Sequence, residues 1–123
     1  NKLSFKSVKG LEGLETELNE TASEGKFVML DFYADWCITC KEMEHDVFSD
    51  PNVQQLLNAV TLLQADVTEN DAQDKALLKE FNLYGPPAIL FFNKKGIEKK
   101  SHRLVGFMNS ADFVKHINEV MTE

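Results

Sequence analysis

Residues 27–41 read FVMLDFYADWCITCK, and this stretch decides the fold class of the chain. Its first seven residues are apolar or aromatic except for Asp31, a pattern typical of a central strand that helices cover on both faces. A C-x-x-C motif, Cys37 and Cys40, follows where a helix of about residues 37–48 is predicted to begin. Reacting groups in open α/β sheets gather at the carboxyl ends of strands, so this position indicates a functional site.

Helices and strands are predicted to alternate on both sides of this stretch, which is typical of a mixed α/β sheet with helices on both faces. Before this stretch, an edge strand is predicted over 5–8, followed by a helix that ends near Gly25. After it come a short helix that Asp50 caps and Pro51 begins, a strand over 60–67, and a helix that begins at Asn70 or Asp71. The chain ends with a strand over 88–92, a hairpin turn over 93–96, a returning strand over 97–105, and a last helix capped by Asn109 or Ser110.

The chain has 123 residues, a mass of 14.0 kDa and a formal net charge of −7. We expect one domain, 1–123, which buries about two-thirds of its unfolded surface and needs no disulfide to fold. The negative charge argues against nucleic acid or an anionic membrane as a partner. The longest apolar run, 88–92, is too short to enter a bilayer as a span. Because the chain begins at Asn1 rather than Met, we expect either that a segment was removed upstream or that this is a piece of a longer protein.

The two cysteines are predicted to exchange disulfides. A cysteine at a helix start faces unpaired N–H groups and the positive end of the helix dipole, both of which stabilise its thiolate. Cys37 is therefore predicted to be the nucleophile and Cys40, one turn inside the helix, the resolving thiol.

A metal site or a pair of inert core cysteines would also account for the motif. A zinc site needs four ligands, and Cys37 and Cys40 supply two. His45 lies about 140° around the helix from Cys40, which does not favour it as a third ligand. His102 and His116 are predicted to be ordinary surface residues, and we expect no metal and no cofactor.

Two carboxylates are predicted to act on the cysteines. Burial of Asp31 in the strand should raise its pKa, so that it accepts and donates protons near neutral pH. Glu44 shares one helix stripe with Cys37 and Cys40, and its side chain leans back toward them. Both negative charges should raise the pKa of the thiols against the helix dipole. The alternatives are an Asp31 held by structural hydrogen bonds and a Glu44 on a solvated helix face.

Trp36, Pro86 and Pro87 are predicted to form the substrate-binding surface. Trp36 adjoins Cys37. The two prolines precede a buried strand, a position where proline is unusual because it cannot donate a hydrogen bond to the sheet. A cis X–Pro bond at this position would turn the chain sharply and expose backbone groups beside the cysteines.

Residues 31–41, DFYADWCITCK, resemble the active-site segment of thioredoxins, and the order of elements is similar to the thioredoxin fold from end to end. The resemblance implies that Cys37 is the nucleophile and that Asp31 assists proton transfer. It also implies that Pro87 is the cis-proline that faces the disulfide.

Two positions depart from the thioredoxin pattern. Ile38 and Thr39 replace the usual Gly-Pro between the cysteines, so the reducing strength of thioredoxin is not implied. The lysine that thioredoxins place near the buried aspartate aligns with Leu62. Without that cation, the pKa of Asp31 is expected to rise further.

Three further segments, 47–51, 64–71 and 83–87, resemble the C-terminal domains of the DsbD family of thiol:disulfide interchange proteins. The resemblance covers about residues 5–121. Members of this family are bacterial inner-membrane proteins with two periplasmic domains that flank a transmembrane part. In that family the residues that match Asp31 and Glu44 hold the pKa of the nucleophile high.

The resemblance implies a periplasmic, monomeric domain that takes electrons from the transmembrane domain of its parent protein and passes them to the N-terminal domain. Its substrates would be protein disulfides. A free-standing thioredoxin-like reductase is the alternative within the same class. A redox-inactive binding module with structural cysteines is the alternative from another class.

Overall fold

The computed structural model describes residues 3–122, and in this range four strands form one sheet in the order β1-β3-β2-β4. The strands are β1 (Lys6–Ser7), β2 (Phe27–Tyr33), β3 (Val60–Asp66) and β4 (Ala88–Phe92). β1 and β2 run parallel to β3, whereas β4 runs antiparallel to β2. The predicted mixed sheet, with a short strand at one edge and the strand of residues 27–33 inside, is confirmed.

Helices cover both faces of the sheet. The five α-helices of the described range are α1 (Gly10–Glu24), α2 (Ile38–Asp46), α3 (Pro51–Leu57), α4 (Ala72–Glu80) and α5 (Ser110–Val120). Successive side chains of β2 alternate between two apolar clusters, one that includes residues of α1 and α4 and one that includes residues of α3 and α5. This alternation explains why β2 is apolar at nearly every position.

The helix ends follow the predicted capping residues. Asp50 accepts a hydrogen bond from the backbone N–H of Asn52 at 2.8 Å, with Pro51 in the first turn of α3. Asn109 caps α5 in the same way, through the N–H of Asp112 at 2.9 Å. Gly25 ends α1 in the left-handed region, at φ 66°, where glycine meets no steric penalty.

The predicted strand over 97–105 is wrong. Two isolated antiparallel bridges, Ile89 to Leu104 and Phe92 to Glu98, replace it. The bridges are three residues apart on β4 and six apart on the returning segment, so three residues are in excess. A 3₁₀ turn, Lys100–His102, takes up the excess and interrupts the ladder. The predicted turn over 93–96 does form, with the Gly96 N–H donating to the Asn93 carbonyl at 3.0 Å.

The strand directions bring three segments to one edge of the sheet. These are the segments after Tyr33, after Asp66 and before Ala88, because β2 and β3 end where β4 begins. We call this edge the disulfide edge. The turn over 93–96 lies at the opposite edge. Within residues 3–122, no helix has the length and apolar character needed to cross a membrane.

Candidate active site

Cys37 and Cys40 form a disulfide at the first turn of α2, directly after the end of β2. Their Cα atoms are 5.3 Å apart, which the i, i+3 spacing at a helix start allows. Cys37 is the N-cap residue, and its Sγ accepts a hydrogen bond from the backbone N–H of Cys40 at 3.2 Å. A donor and a helix N-terminus that point at this sulfur would stabilise a thiolate there.

The two sulfurs have different surroundings, although both cysteines are about 5% exposed. The neighbours of Cys37 in the chain are exposed apolar side chains, Trp36 at 58% and Ile38 at 75%. The Sγ of Cys40 lies 3.7 Å from the carbonyl oxygen of Phe32, inside the sheet. In the reduced protein a Cys40 thiol can donate to this carbonyl, which favours its protonated form. The geometry fits the predicted nucleophile and resolving thiol, and these roles stay predictions.

Asp31 is buried in the middle of β2, next to Phe32, with 6% of its surface exposed. Its Oδ2 accepts a hydrogen bond from the Gln64 side-chain amide at 3.1 Å. Burial raises the pKa of Asp31 to about 7, the Gln64 bond opposes this rise, and the negative charge of Glu44 adds to it. A carboxyl group with this pKa can exchange protons near neutral pH.

Gln64 is the site residue that the sequence analysis missed. The sequence comparison considered only Leu62, at the position of the thioredoxin lysine, and that correspondence stays a prediction. The register of β2 and β3 pairs Met29 with Leu62 and Asp31 with Gln64, two residues further along the same face of β3. A polar residue inside an otherwise apolar strand was the available signal. The amide supplies a hydrogen bond without the charge of a lysine.

Glu44 lies on the exposed face of α2. Its negative charge contributes to the raised pKa of Asp31, and to that of Tyr33 after burial and the hydrogen bond to Asp35. The structure therefore brings Glu44 within electrostatic range of the end of β2. Its predicted action on the thiols of Cys37 and Cys40 is not tested by these contacts. A catalytic role for Glu44 stays a prediction.

The predicted substrate-binding residues lie at the disulfide edge. The bond between Pro86 and Pro87 is cis, and both prolines are half-buried. The next residue, Ala88, pairs with Phe32, whose carbonyl faces Cys40. Across the edge, Trp36 donates from Nε1 to the carbonyl oxygen of Thr68 at 3.0 Å. Substrate binding by these side chains stays a prediction.

Two of the three histidines differ from their prediction as ordinary surface residues. His102 and His116 are half-buried, and their rings pack edge-to-face with centroids 5.6 Å apart. A 2.7 Å hydrogen bond joins the Nε2 of His116 to the His102 carbonyl, because the 3₁₀ turn packs on α5. His45 is exposed and bonded to Asp46. Nowhere in residues 3–122 do three His, Cys, Asp or Glu side chains gather as they would around a metal ion.

The fold and the site together define a thioredoxin-fold protein with a redox-type cysteine pair. A thioredoxin-like family model matches residues 11–94. The thiol:disulfide interchange proteins DsbD of Salmonella typhimurium and Escherichia coli K12 are each 50% identical to this chain over 117 residues, which is 95% of the chain and 20% of each relative.

Solved structures agree with these matches. The oxidised C-terminal domain of Neisseria meningitidis DsbD is 32% identical with a TM-score of 0.78, over 94% of this chain and 98% of that one. A thioredoxin from Thermus thermophilus is 26% identical with a TM-score of 0.72, over 98% and 89% of the two chains.

The chain belongs to the thioredoxin-like family and, within it, to the family of DsbD C-terminal domains. This confirms the resemblance found in the sequence. The chain spans about a fifth of the length of the curated relatives it matches.

Proposed function

We propose that this domain reduces protein disulfides by dithiol–disulfide exchange at Cys37 and Cys40. The observation that carries the proposal is the disulfide at the N-terminus of α2, at the carboxyl end of a central strand. The sequence relatives carry the name thiol:disulfide interchange protein, which supports the same chemistry.

The reaction transfers two electrons in two exchange steps. The Cys37 thiolate attacks one sulfur of the substrate disulfide, and a mixed disulfide forms while the other substrate sulfur leaves and takes up a proton. Cys40 then loses its proton and attacks the Sγ of Cys37. The Cys37–Cys40 disulfide forms, and the second substrate thiol is released. Two electrons pass from the domain to the substrate, and the protons lost by Cys37 on forming its thiolate and by Cys40 balance the two that the substrate sulfurs take up.

Asp31 is proposed to accept the proton that Cys40 loses. The carboxyl is next in sequence to Phe32, whose carbonyl lies against Cys40, and its pKa of about 7 suits proton transfer at neutral pH. Once ionised, Asp31 and Glu44 oppose the formation of a further negative charge, the Cys37 thiolate. The thiolate would then form mainly when a substrate has docked.

The physiological role that we propose is an electron relay. A membrane-embedded domain of the parent protein would reduce the Cys37–Cys40 disulfide, and the resulting dithiol would reduce a periplasmic partner domain. The support is the 50% identity to DsbD proteins of which this chain covers 20%. Periplasmic location and action as a monomer belong to the same proposal.

Trapping tests the exchange. Cys40→Ala should accumulate a mixed disulfide between Cys37 and a disulfide-bonded partner domain, because the resolving step is lost. The matched variant Cys37→Ala should trap little, since Cys40 faces the Phe32 carbonyl. Non-reducing gels with and without a reductant read out the adduct. If neither variant traps a partner, the cysteines are structural and the chain is a redox-inactive module.

A further inference from the structure

An open groove of about 410 Å³ lies beside the disulfide edge. Its lining includes Lys75 and Lys79 of α4, Leu83 and Tyr84 of the segment before β4, and Asn70. We call this feature the lysine groove.

Two of the segments that line the lysine groove continue toward the cysteine pair. Asn70 follows Thr68 by two residues, and the Thr68 carbonyl accepts the hydrogen bond from Trp36, the neighbour of Cys37. Tyr84 precedes the cis-proline Pro87 by three residues. The groove is therefore joined along the chain, through both segments, to the residues around the disulfide.

The charge of the groove contrasts with that of the chain. The chain carries −7 in total, yet two lysines and no carboxylate line the groove. Lys75 and Lys79 are exposed and four residues apart, so they share one helix face. Neither forms an ion pair with any side chain in the described part of the protein. Two unpaired cations on an acidic surface reduce the repulsion that an anionic partner meets there.

Tyr84 gives the groove an apolar anchor. Its side chain is fully exposed, which leaves a large aromatic surface without protein contacts around it. Exposed tyrosines beside a polar rim are typical of protein-binding surfaces, because the ring buries apolar area while the hydroxyl stays hydrated.

We propose that the lysine groove binds an acidic segment of the substrate protein, next to the disulfide that Cys37 attacks. The inference rests on the proposed function and specifies its substrate class. Lys75 and Lys79 would pair with the acidic side chains, and Tyr84 would pack on an apolar residue among them. Such pairing orients the substrate and raises its association rate.

Two synthetic peptides test the preference. Each contains one intramolecular disulfide, flanked by glutamates in the first peptide and by glutamines in the second. The reduced wild-type domain should show a kcat/KM that is about 2- to 30-fold higher for the acidic peptide, as expected for two exposed ion pairs. Added salt should shrink this ratio, because it screens exposed charges. The double variant Lys75→Glu/Lys79→Glu should lose the preference.

The matched control is Lys94→Glu/Lys95→Glu. It changes the net charge equally, but its lysines lie in the turn at the opposite edge of the sheet, where Lys94 stacks on Phe27 at 5.5 Å. The control should keep the wild-type preference. Equal preference in the two double variants would overturn the proposal, since only total charge would then matter.

The failure of docking and the failure of exchange give different results. Fluorescence anisotropy of the acidic peptide in its dithiol form, mixed with the oxidised domain, measures docking without exchange. If wild type reduces neither peptide, the proposed function fails, and tighter anisotropy binding of the acidic peptide still supports the groove. If wild type reduces both peptides with equal kcat/KM, the groove proposal fails and the exchange proposal stands.

Discussion

Two buried aspartates in this molecule have opposite surroundings. Asp74, 2% exposed, accepts a 2.8 Å salt bridge from Lys9 and completes the capping box of α4 with Asp71. Asp31, 6% exposed, accepts one side-chain hydrogen bond from residues 3–122, and its donor is the neutral amide of Gln64. The first carboxylate has a cation and a backbone N–H of the helix cap as partners, whereas the second has neither among residues 3–122.

The difference separates a carboxylate that is paired with a cation from one whose pKa burial raises to about 7, which suits the proton transfer proposed for Asp31. A buried carboxylate that is paired and hydrogen-bonded can hold elements together, as Asp74 joins α4 to Lys9. A buried carboxyl without a cation instead changes its pKa, and Asp31 titrates at about 7. Asp31 alone of the two lies beside the cysteine pair. The folded protein therefore loses stability to a buried carboxyl group without a cation, at the place where proton transfer to and from the cysteines is proposed.

The same substitution at the two positions should change stability in opposite directions. The pKa of Asp31 is about 7 in the folded protein and 3.8 in the unfolded chain, so the folded state binds its proton more tightly. The contribution of Asp31 to the free energy of unfolding is fully present below about pH 4 and is lost as the pH rises through 7. This loss amounts to about 4 kcal/mol. Asp31→Asn removes this loss. The free energy of unfolding at about pH 8 should rise by roughly 2–4 kcal/mol.

Asp74→Asn is the matched variant. It removes the buried partner of Lys9 and weakens the helix cap, so the free energy of unfolding should fall by about 1–3 kcal/mol. Urea unfolding of both variants and wild type at about pH 4 and pH 8 measures the two effects. A loss of stability at pH 8 in both variants would contradict the comparison, because Asp31 would then be a structural residue like Asp74.

Gln64→Lys should make the Asp31 site resemble the Asp74 site. The new ammonium group would lie beside the carboxylate and should lower the pKa of Asp31 by about 1 to 3 pH units. The chemical shift of the Asp31 carboxyl carbon, followed by NMR against pH, reports this value directly. Gln64→Leu serves as the control, because loss of the amide should raise the pKa slightly. An unchanged midpoint in the lysine variant would show that the new side chain points away from Asp31.

Sequence patterns located the site because its main signals are local. A charged residue inside an apolar strand and two cysteines at the following helix start identified Asp31, Cys37 and Cys40. Strand pairing is not local, so the sequence did not reveal that the register places Gln64 opposite Asp31.

The same limit explains the other differences between prediction and structure. The segment 97–105 has strand-like residues, but between its two bridges to β4 it contains three residues more than β4 does. This mismatch becomes visible only when the two segments are paired. The packing of His116 against the 3₁₀ turn follows from that excess. The lysine groove joins α4 to the segment before β4, two elements that the topology brings together.

The titration of the Cys37 thiolate tests the central claim, that carboxylates beside the pair set its reactivity. In the reduced protein, the ultraviolet absorbance of the thiolate should give a midpoint above the free-thiol value of about 8.5. Asp31→Asn should lower this midpoint, and Asp74→Asn should leave it unchanged. A wild-type midpoint well below about 7, or the same midpoint in Asp31→Asn, would contradict the claim, because the helix dipole would then outweigh Asp31.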